Sequence, residues 1–152
     1  MATLSPDFRA QSGKIHREHE LMIEDLAGLD SALDRLICYS EVYANLASAE
    51  QVRTYGCRLA ERFPEHCRCE EAAVLSPVSQ VSQELARFAQ QMRDEHRQLL
   101  ARLDSFCQAL HRLEQCEDLD ETICRLKEEG KELARELRRH VATEERELSG
   151  FL

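Results

Sequence analysis

The sequence predicts an all-α fold, an up-down-up-down antiparallel four-helix bundle. Apolar residues recur at every third or fourth position through four long segments, which is the period of an amphipathic helix. Signals for β-strands, such as alternating Val, Ile and Thr or an Asn-Gly hairpin turn, are nearly absent. Most connections between the four segments are short, and short connections favour antiparallel neighbouring helices.

The positions of helix-starting residues divide the chain into its four helices. Ser48, Ser76 (before Pro77) and Asp118 are each followed by residues typical of a helix N-terminus. Residues 39–47 form the longest predicted connection. We therefore expect helices at about residues 12–38, 48–74, 78–115 and 118–147.

Length and composition indicate one globular domain, residues 1–152, with residues 1–11 as an N-terminal extension. The chain has 152 residues, of which 43% are hydrophobic and 32% are charged. Its formal charge is −9, from 20 basic and 29 acidic residues, and it has no run of Lys and Arg. An acidic surface without a basic patch argues against nucleic acid or an anionic membrane as the partner.

The N-terminal sequence and the number of cysteines indicate the cellular compartment of the protein. The stretch "MATLSPDFRAQSGK" lacks the charged start and apolar core of a secretory signal, and no apolar run reaches the length of a membrane span. The chain has 7 cysteines and no C-x-x-C pair. An odd number of thiols without an export signal is typical of a reduced, cytoplasmic protein. The sequence leaves the oligomeric state open.

Six polar residues interrupt the apolar series at positions where a simple bundle has Leu or Ile. These residues are His19, His66, Glu70, His96, His140 and Glu144. An ionised carboxylate that is buried without a partner costs several kcal/mol, so two of them need compensation. In two helices the histidine precedes the glutamate by four residues, which places both side chains on one helix face. A pair of divalent cations would supply the missing charge.

Several residues next to this series are alternative candidates for the predicted cation site. His16 lies one turn before His19 and could take its role, and Glu145, directly after Glu144, could contribute to the site. Cys67 and Cys69 flank the turn between His66 and Glu70, as packing residues or as thiols that affect the site. Outside the series, His111 is expected to be structural or exposed. Two further acidic positions, Glu71 and Glu147, are expected together with Glu145 on a solvated face.

The four segments "EHELMIEDL", "HCRCEEAAVLSP", "EHRQLLARL" and "HVATEERELSGFL", in this order, resemble the hemerythrin-like family, the HHE cation-binding domain. The resemblance runs from about Lys14 to the C-terminus. It implies a non-haem di-iron centre with two iron ions as cofactor, in which the four histidines of the series are nitrogen ligands. Glu70 and Glu144 would bridge the irons. Imidazole with carboxylate suits iron rather than calcium or magnesium.

The sequence departs from the oxygen-carrying members of that family at two places. Those proteins have a second histidine one turn after the first on the third helix, where this chain has Leu100. They also end in His-x-x-x-x-Asp, whereas here Glu144 stands at the fourth position and Glu145 at the fifth. The four-His, two-Glu pattern resembles relatives in iron-centre repair or in iron or oxygen sensing. The repair proteins carry an N-terminal cysteine segment, and this sequence has no cysteine before Cys38.

Three functions therefore stay open. The first is a binding or sensing protein for a small ligand, such as dioxygen or nitric oxide, or for iron itself. The second is a di-iron redox enzyme of the peroxidase, oxidase or nitric-oxide-handling type. The third is a purely structural bundle. A ferritin-like oxidase would need Glu three residues before His, a spacing that this sequence lacks.

Overall fold

The computed structural model describes residues 4–39, 42–115 and 118–151, and within them it is helical without strands. The helices are α1 (Pro6–Arg35), α2 (Val42–Glu70), the short α3 (Ser76–Ser79), α4 (Gln83–Glu114) and α5 (Leu119–Glu147), with a π-helical turn at Glu71–Leu75 between α2 and α3. None of the helices in the described residues is long and apolar enough to cross a membrane.

The four long helices pack around a shared interior. Helix α1 lies against α2 and α5, and α4 lies against α5 and α2. Their apolar faces bury a continuous core, in which Phe63, Phe106 and Leu126 are among the largest fully buried side chains. The predicted all-α class and the four long helices are confirmed. The up-down-up-down order of the helices stays a prediction.

Helix α1 begins earlier than the sequence predicts. It starts at Pro6 rather than near residue 12, because Ser5 caps it by accepting a hydrogen bond from the Phe8 backbone N–H at 3.2 Å. The Phe8 side chain is buried in a small apolar cluster with Ile15. Most of the supposed N-terminal extension is therefore the first two turns of the bundle.

The connection between α1 and α2 is shorter than predicted. Helix α2 begins at Val42, so Ser48 lies inside the helix and is not its N-cap. Asn45 secures this connection, since its side chain accepts from the Ile37 N–H and donates to the Ile37 carbonyl, both at 2.9 Å. Residues 40 and 41 of the predicted 39–47 connection lie outside the described residues.

The predicted third helix, residues 78–115, is interrupted near its start. Ser82, not Ser76, caps α4 by accepting a hydrogen bond from the Leu85 N–H at 3.1 Å. The π-helical turn after Glu70 adds a residue to the turn and rotates the side chains beyond it, and such turns are frequent at functional sites. Helix α5 begins after Asp118 as predicted, although the Asp118 side chain makes no capping hydrogen bond.

Close packing of α5 on its neighbours requires a glycine. A Cβ atom at Gly130 would lie 2.7 Å from Leu33 Cδ1 and 2.9 Å from Phe106 Cε2. We expect Gly130→Val to lower the free energy of unfolding by about 1–3 kcal/mol through overpacking. Gly13→Ala is the control, because a Cβ atom there would meet only Arg17 Nη1 at an ordinary contact distance of 3.8 Å, and it should stabilise by about 0.5–1 kcal/mol. Chemical denaturation measures both, and equal stability of Gly130→Val and wild type would contradict the prediction.

Candidate metal centre

The six polar residues predicted from the sequence lie together in the interior of the bundle. Each of the four long helices contributes: α1 provides His19, α2 His66 and Glu70, α4 His96, and α5 His140 and Glu144. All six side chains are buried, and the two carboxylates are 0% exposed. Their helical spacing turns them inward, and the packing of the four helices brings them to one level.

The six side chains form two groups that share both carboxylates. The first group consists of His19, His66, Glu70 and Glu144, and the second of Glu70, His96, His140 and Glu144. Within each group the candidate donor atoms lie within 4.8 Å of one another. This arrangement offers two adjacent positions for cations.

The first group is built around the Oε2 atoms of the two carboxylates. His19 Nε2 lies 3.1 Å from Glu70 Oε2 and 3.2 Å from Glu144 Oε2. His66 Nε2 lies 3.0 Å from Glu70 Oε2 and 3.1 Å from His19 Nε2. The two imidazole Nε2 atoms and the two carboxylate Oε2 atoms of this group thus surround one position that a cation could occupy.

The second group uses the Oε1 atoms of the same carboxylates. His96 Nε2 lies 3.3 Å from Glu70 Oε1 and 3.5 Å from Glu144 Oε1. His140 Nε2 lies 2.9 Å from Glu144 Oε1. Each carboxylate therefore directs one oxygen to each group, which is the geometry of a bridge between two cations.

Several donor atoms of the site have no hydrogen-bond partner among the described residues. They are Glu70 Oε1, both carboxylate oxygens of Glu144, and the Nε2 atoms of His96 and His140. Their short separations occur without hydrogen-bond alignment, because the atoms converge on a shared point rather than on each other. Buried carboxylate oxygens without partners are costly. A cation in each group would satisfy them, so the residues present fit a two-metal site.

In the metal-free site, protons bound to the imidazoles supply the positive charge that cations would otherwise provide. Burial by itself lowers the pKa of His19, but the adjacent carboxylates of Glu144 and Glu70 outweigh it and raise that pKa to about 10. Burial by itself raises the pKa of Glu70, but hydrogen bonds from His19 and other imidazoles hold it well below its usual value. A cation must therefore displace protons from this site.

A second set of acidic residues, here called the outer carboxylates, surrounds the four histidines. Each histidine presents its Nδ1 to one of them. The pairs are His19 with Glu145 at 2.7 Å, His66 with Glu18 at 2.7 Å, His96 with Glu71 at 2.9 Å, and His140 with Glu95 at 2.7 Å. Because an ionised carboxylate only accepts hydrogen bonds, Nδ1 keeps its proton in the neutral imidazole, and Nε2 is the nitrogen that can bind a cation once its own proton is displaced.

Two of the outer carboxylates, Glu71 and Glu145, are not simply part of a solvated face. Glu71 and Glu145 are expected on that face from the sequence, but each contacts an imidazole of the site. Glu145 lies outside both groups, as does His16, which is partly exposed and contacts Glu145 from outside at 2.9 Å. The sequence does contain a signal, since a glutamate directly precedes His19 and His96 and directly follows Glu70 and Glu144.

The two cysteines near the site have different surroundings. Cys67 is buried, and this burial raises the pKa of its thiol. The thiol of Cys69 faces the outside of α2, where it donates to Glu65 Oε1 at 3.5 Å. His111 is exposed in α4, as expected. Cys116, for which the sequence predicts no role, lies outside the described residues.

A comparison with protein families identifies the family of the chain. The family model described as the hemerythrin HHE cation-binding domain matches residues 10–152. The chain belongs to the hemerythrin HHE family. Among curated proteins and solved structures, no significant match to the chain was found. The matched range begins inside α1, spans all the later helices and includes all six residues of the two groups, so the resemblance identified from the sequence is confirmed.

The outer carboxylates of this hemerythrin-like domain should affect cation affinity. Glu95→Gln keeps the size of the side chain but removes the charge that polarises His140. We expect the affinity for a divalent cation to fall by about 10–100-fold. Competition with a coloured chelator measures it. Glu147→Gln, at an exposed position outside the site, is the control, and equal affinities of the two variants would argue against this role.

Proposed function

We propose that the chain is a single hemerythrin-like domain, an up-down-up-down antiparallel bundle, that holds a non-haem di-iron centre. The centre would bind or sense a small ligand, such as dioxygen or nitric oxide, or iron itself, in the cytoplasm. The observation that carries this proposal is the pair of buried four-residue groups that share two carboxylates.

The roles of the residues follow from their positions. His19 and His66 would hold one iron, and His96 and His140 the other. Glu70 and Glu144 would bridge them, because each has one oxygen in each group. The outer carboxylates would orient the four imidazoles. The irons would supply Lewis-acid and redox chemistry at the positions that the protein leaves free.

Counting donors supports the binding of a small ligand. Two octahedral irons have roughly twelve coordination positions. Four imidazoles and two bridging carboxylates fill about eight of them, which leaves about four for solvent and a diatomic molecule or peroxide. The Leu100 position, without the extra histidine of the oxygen carriers, supports sensing or reactivity rather than reversible oxygen storage.

A second function, a di-iron redox enzyme, is favoured by the charge around the site. Two central and four outer carboxylates surround the two positions. This negative charge stabilises higher oxidation states of a bound metal, which suits a peroxidase, an oxidase or the handling of nitric oxide. Turnover with peroxide or nitric oxide that is kept in His111→Ala and lost in Glu70→Ala would favour the enzyme. Strictly stoichiometric binding would favour the sensor.

Metal analysis tests the central proposal. Protein purified from iron-replete cells should contain two irons per chain, one for each group. The oxidised protein should absorb in the near ultraviolet through charge transfer from a bridging oxygen to iron. His111→Ala is the control for histidine content, since this exposed residue lies outside both groups, and it should keep both irons. Protein that stays free of metal under these conditions would refute the proposal.

A further inference from the structure

The outer carboxylate Glu145 is contacted by two imidazoles of α1. Its Oε1 atom lies 2.7 Å from His19 Nδ1 and 2.9 Å from His16 Nδ1, and its Oε2 atom lies 3.0 Å from His16 Nδ1. His16 and His19 are three residues apart, so they are neighbours on one face of the helix. Two histidines of α1 therefore hold one carboxylate of α5 by both of its oxygens.

Two of the other outer carboxylates are contacted by residues of their own helix instead. Gln91 donates to Glu95 Oε1 at 3.2 Å within α4, and Lys14 Nζ lies 3.9 Å from Glu18 Oε1 within α1. The contact of His16, by contrast, joins two helices. A carboxylate that is held from a second helix has less freedom to rotate, so the hydrogen bond that it accepts from the metal-facing imidazole keeps one direction.

The contacts of His16 lead from the surface to the interior of the site. The side chain of His16 is 48% exposed, that of Glu145 is 28% exposed and that of His19 is 2% exposed. The second ring nitrogen of His16, Nε2, lies 3.3 Å from Glu20 Oε1, so both edges of this ring face a carboxylate. His16 belongs to neither group of candidate ligands. Its effect on a cation must therefore pass through Glu145 and His19.

We propose that His16 is a positioning residue for the cation position enclosed by the first group. It fixes the carboxylate of Glu145, which in turn fixes the ring of His19 with Nε2 turned towards the cation. This inference rests on the cation-binding centre of the proposed function. An imidazole that is already held in its binding orientation loses less conformational freedom on binding, and therefore binds more tightly. The two positions have the same types of donor, but His16 strengthens the first one alone.

The test measures zinc affinity, by competition with a coloured chelator, in two proteins that each keep one complete group. His96→Ala keeps the first group and His19→Ala keeps the second. Adding His16→Ala should lower the affinity about two- to fivefold in the His96→Ala background, which is the effect of an exposed charged contact. In the His19→Ala background it should leave the affinity unchanged. In the otherwise wild-type chain, one of the two stepwise zinc affinities should fall.

A conservative variant distinguishes positioning from a general structural role. The side-chain amide of His16→Asn has N–H donors at the same distance along the side chain as Nδ1. In the His96→Ala background this variant should retain most of the affinity that His16→Ala loses. His111→Ala, which removes an exposed histidine elsewhere on α4, is the matched control and should change the affinity in neither background.

The outcomes separate this inference from the proposed function. Wild-type protein that binds no metal would refute both. Bound zinc with equal affinities before and after His16→Ala, in the His96→Ala background or in the wild-type chain, would overturn the inference alone. An equal loss in both single-group backgrounds, or an equal loss in the alanine and asparagine variants, would also overturn it, because His16 would then act on the stability of the bundle rather than on one cation position.

Discussion

In the Glu144→Ala protein, the affinity for both metal ions is expected to fall together. Glu144 has one oxygen in each group, near His19 Nε2 at 3.2 Å and near His140 Nε2 at 2.9 Å. Its removal takes one donor and half of the central negative charge from both positions at once. The loss should exceed the about 10–100-fold expected for an outer partner. Native mass spectrometry during metal titration counts chains with no, one and two metals.

The matched comparison is a residue that belongs to one group only. His19→Ala removes a donor from the first group and leaves the second complete, so chains with one metal should accumulate. Glu147→Ala, at an exposed position, should retain two metals. One tightly bound metal in Glu144→Ala would contradict the bridging role, because it would mean that one group holds its cation without this carboxylate.

The positions of the six central side chains could be predicted because they violate a strong pattern. A helix in a bundle repeats its apolar residues with a fixed period, so a histidine or glutamate in that series is buried by the helix itself. His96 lies as far before Asp118 as His140 lies after it, which also indicates a shared level. The structure brings these side chains together as the periodicity predicts.

The outer carboxylates could not be recognised in the same way. Glu71 and Glu145 are adjacent in sequence to central residues, and on a helix that position is one-quarter turn away, at the edge between core and solvent. A glutamate there is usually solvated. The imidazole that it contacts belongs to another helix, so only the packing of helices reveals the pair. The π-helical turn after Glu70 has no local sequence signature, so the sequence does not predict it either.

The prediction with the second largest effect concerns stability and pH. The pKa of His19 is raised to about 10 in the folded metal-free protein, above its ordinary 6.5, so its contribution to stability is complete below pH 6.5. That contribution is lost as the pH rises towards 10. The lowered pKa of Glu70 affects stability at acidic pH. Its contribution is complete above the ordinary glutamate pKa of 4.5 and is lost as the pH falls below that value. Metal-free protein should therefore be most stable at weakly acidic pH.

Above that range, metal-loaded protein should not share this loss of stability. A cation requires His19 with its Nε2 unprotonated, so rising pH removes the competing proton and strengthens binding. A ligand present at about 1,000 times its dissociation constant stabilises the folded state by about 4 kcal/mol. The gap in unfolding free energy between loaded and metal-free protein should hence widen from about pH 6 to about pH 9. Anaerobic chemical denaturation with ferrous iron or with chelator measures the gap, and a gap that narrows over this interval would show that protons and cations do not compete for these imidazoles.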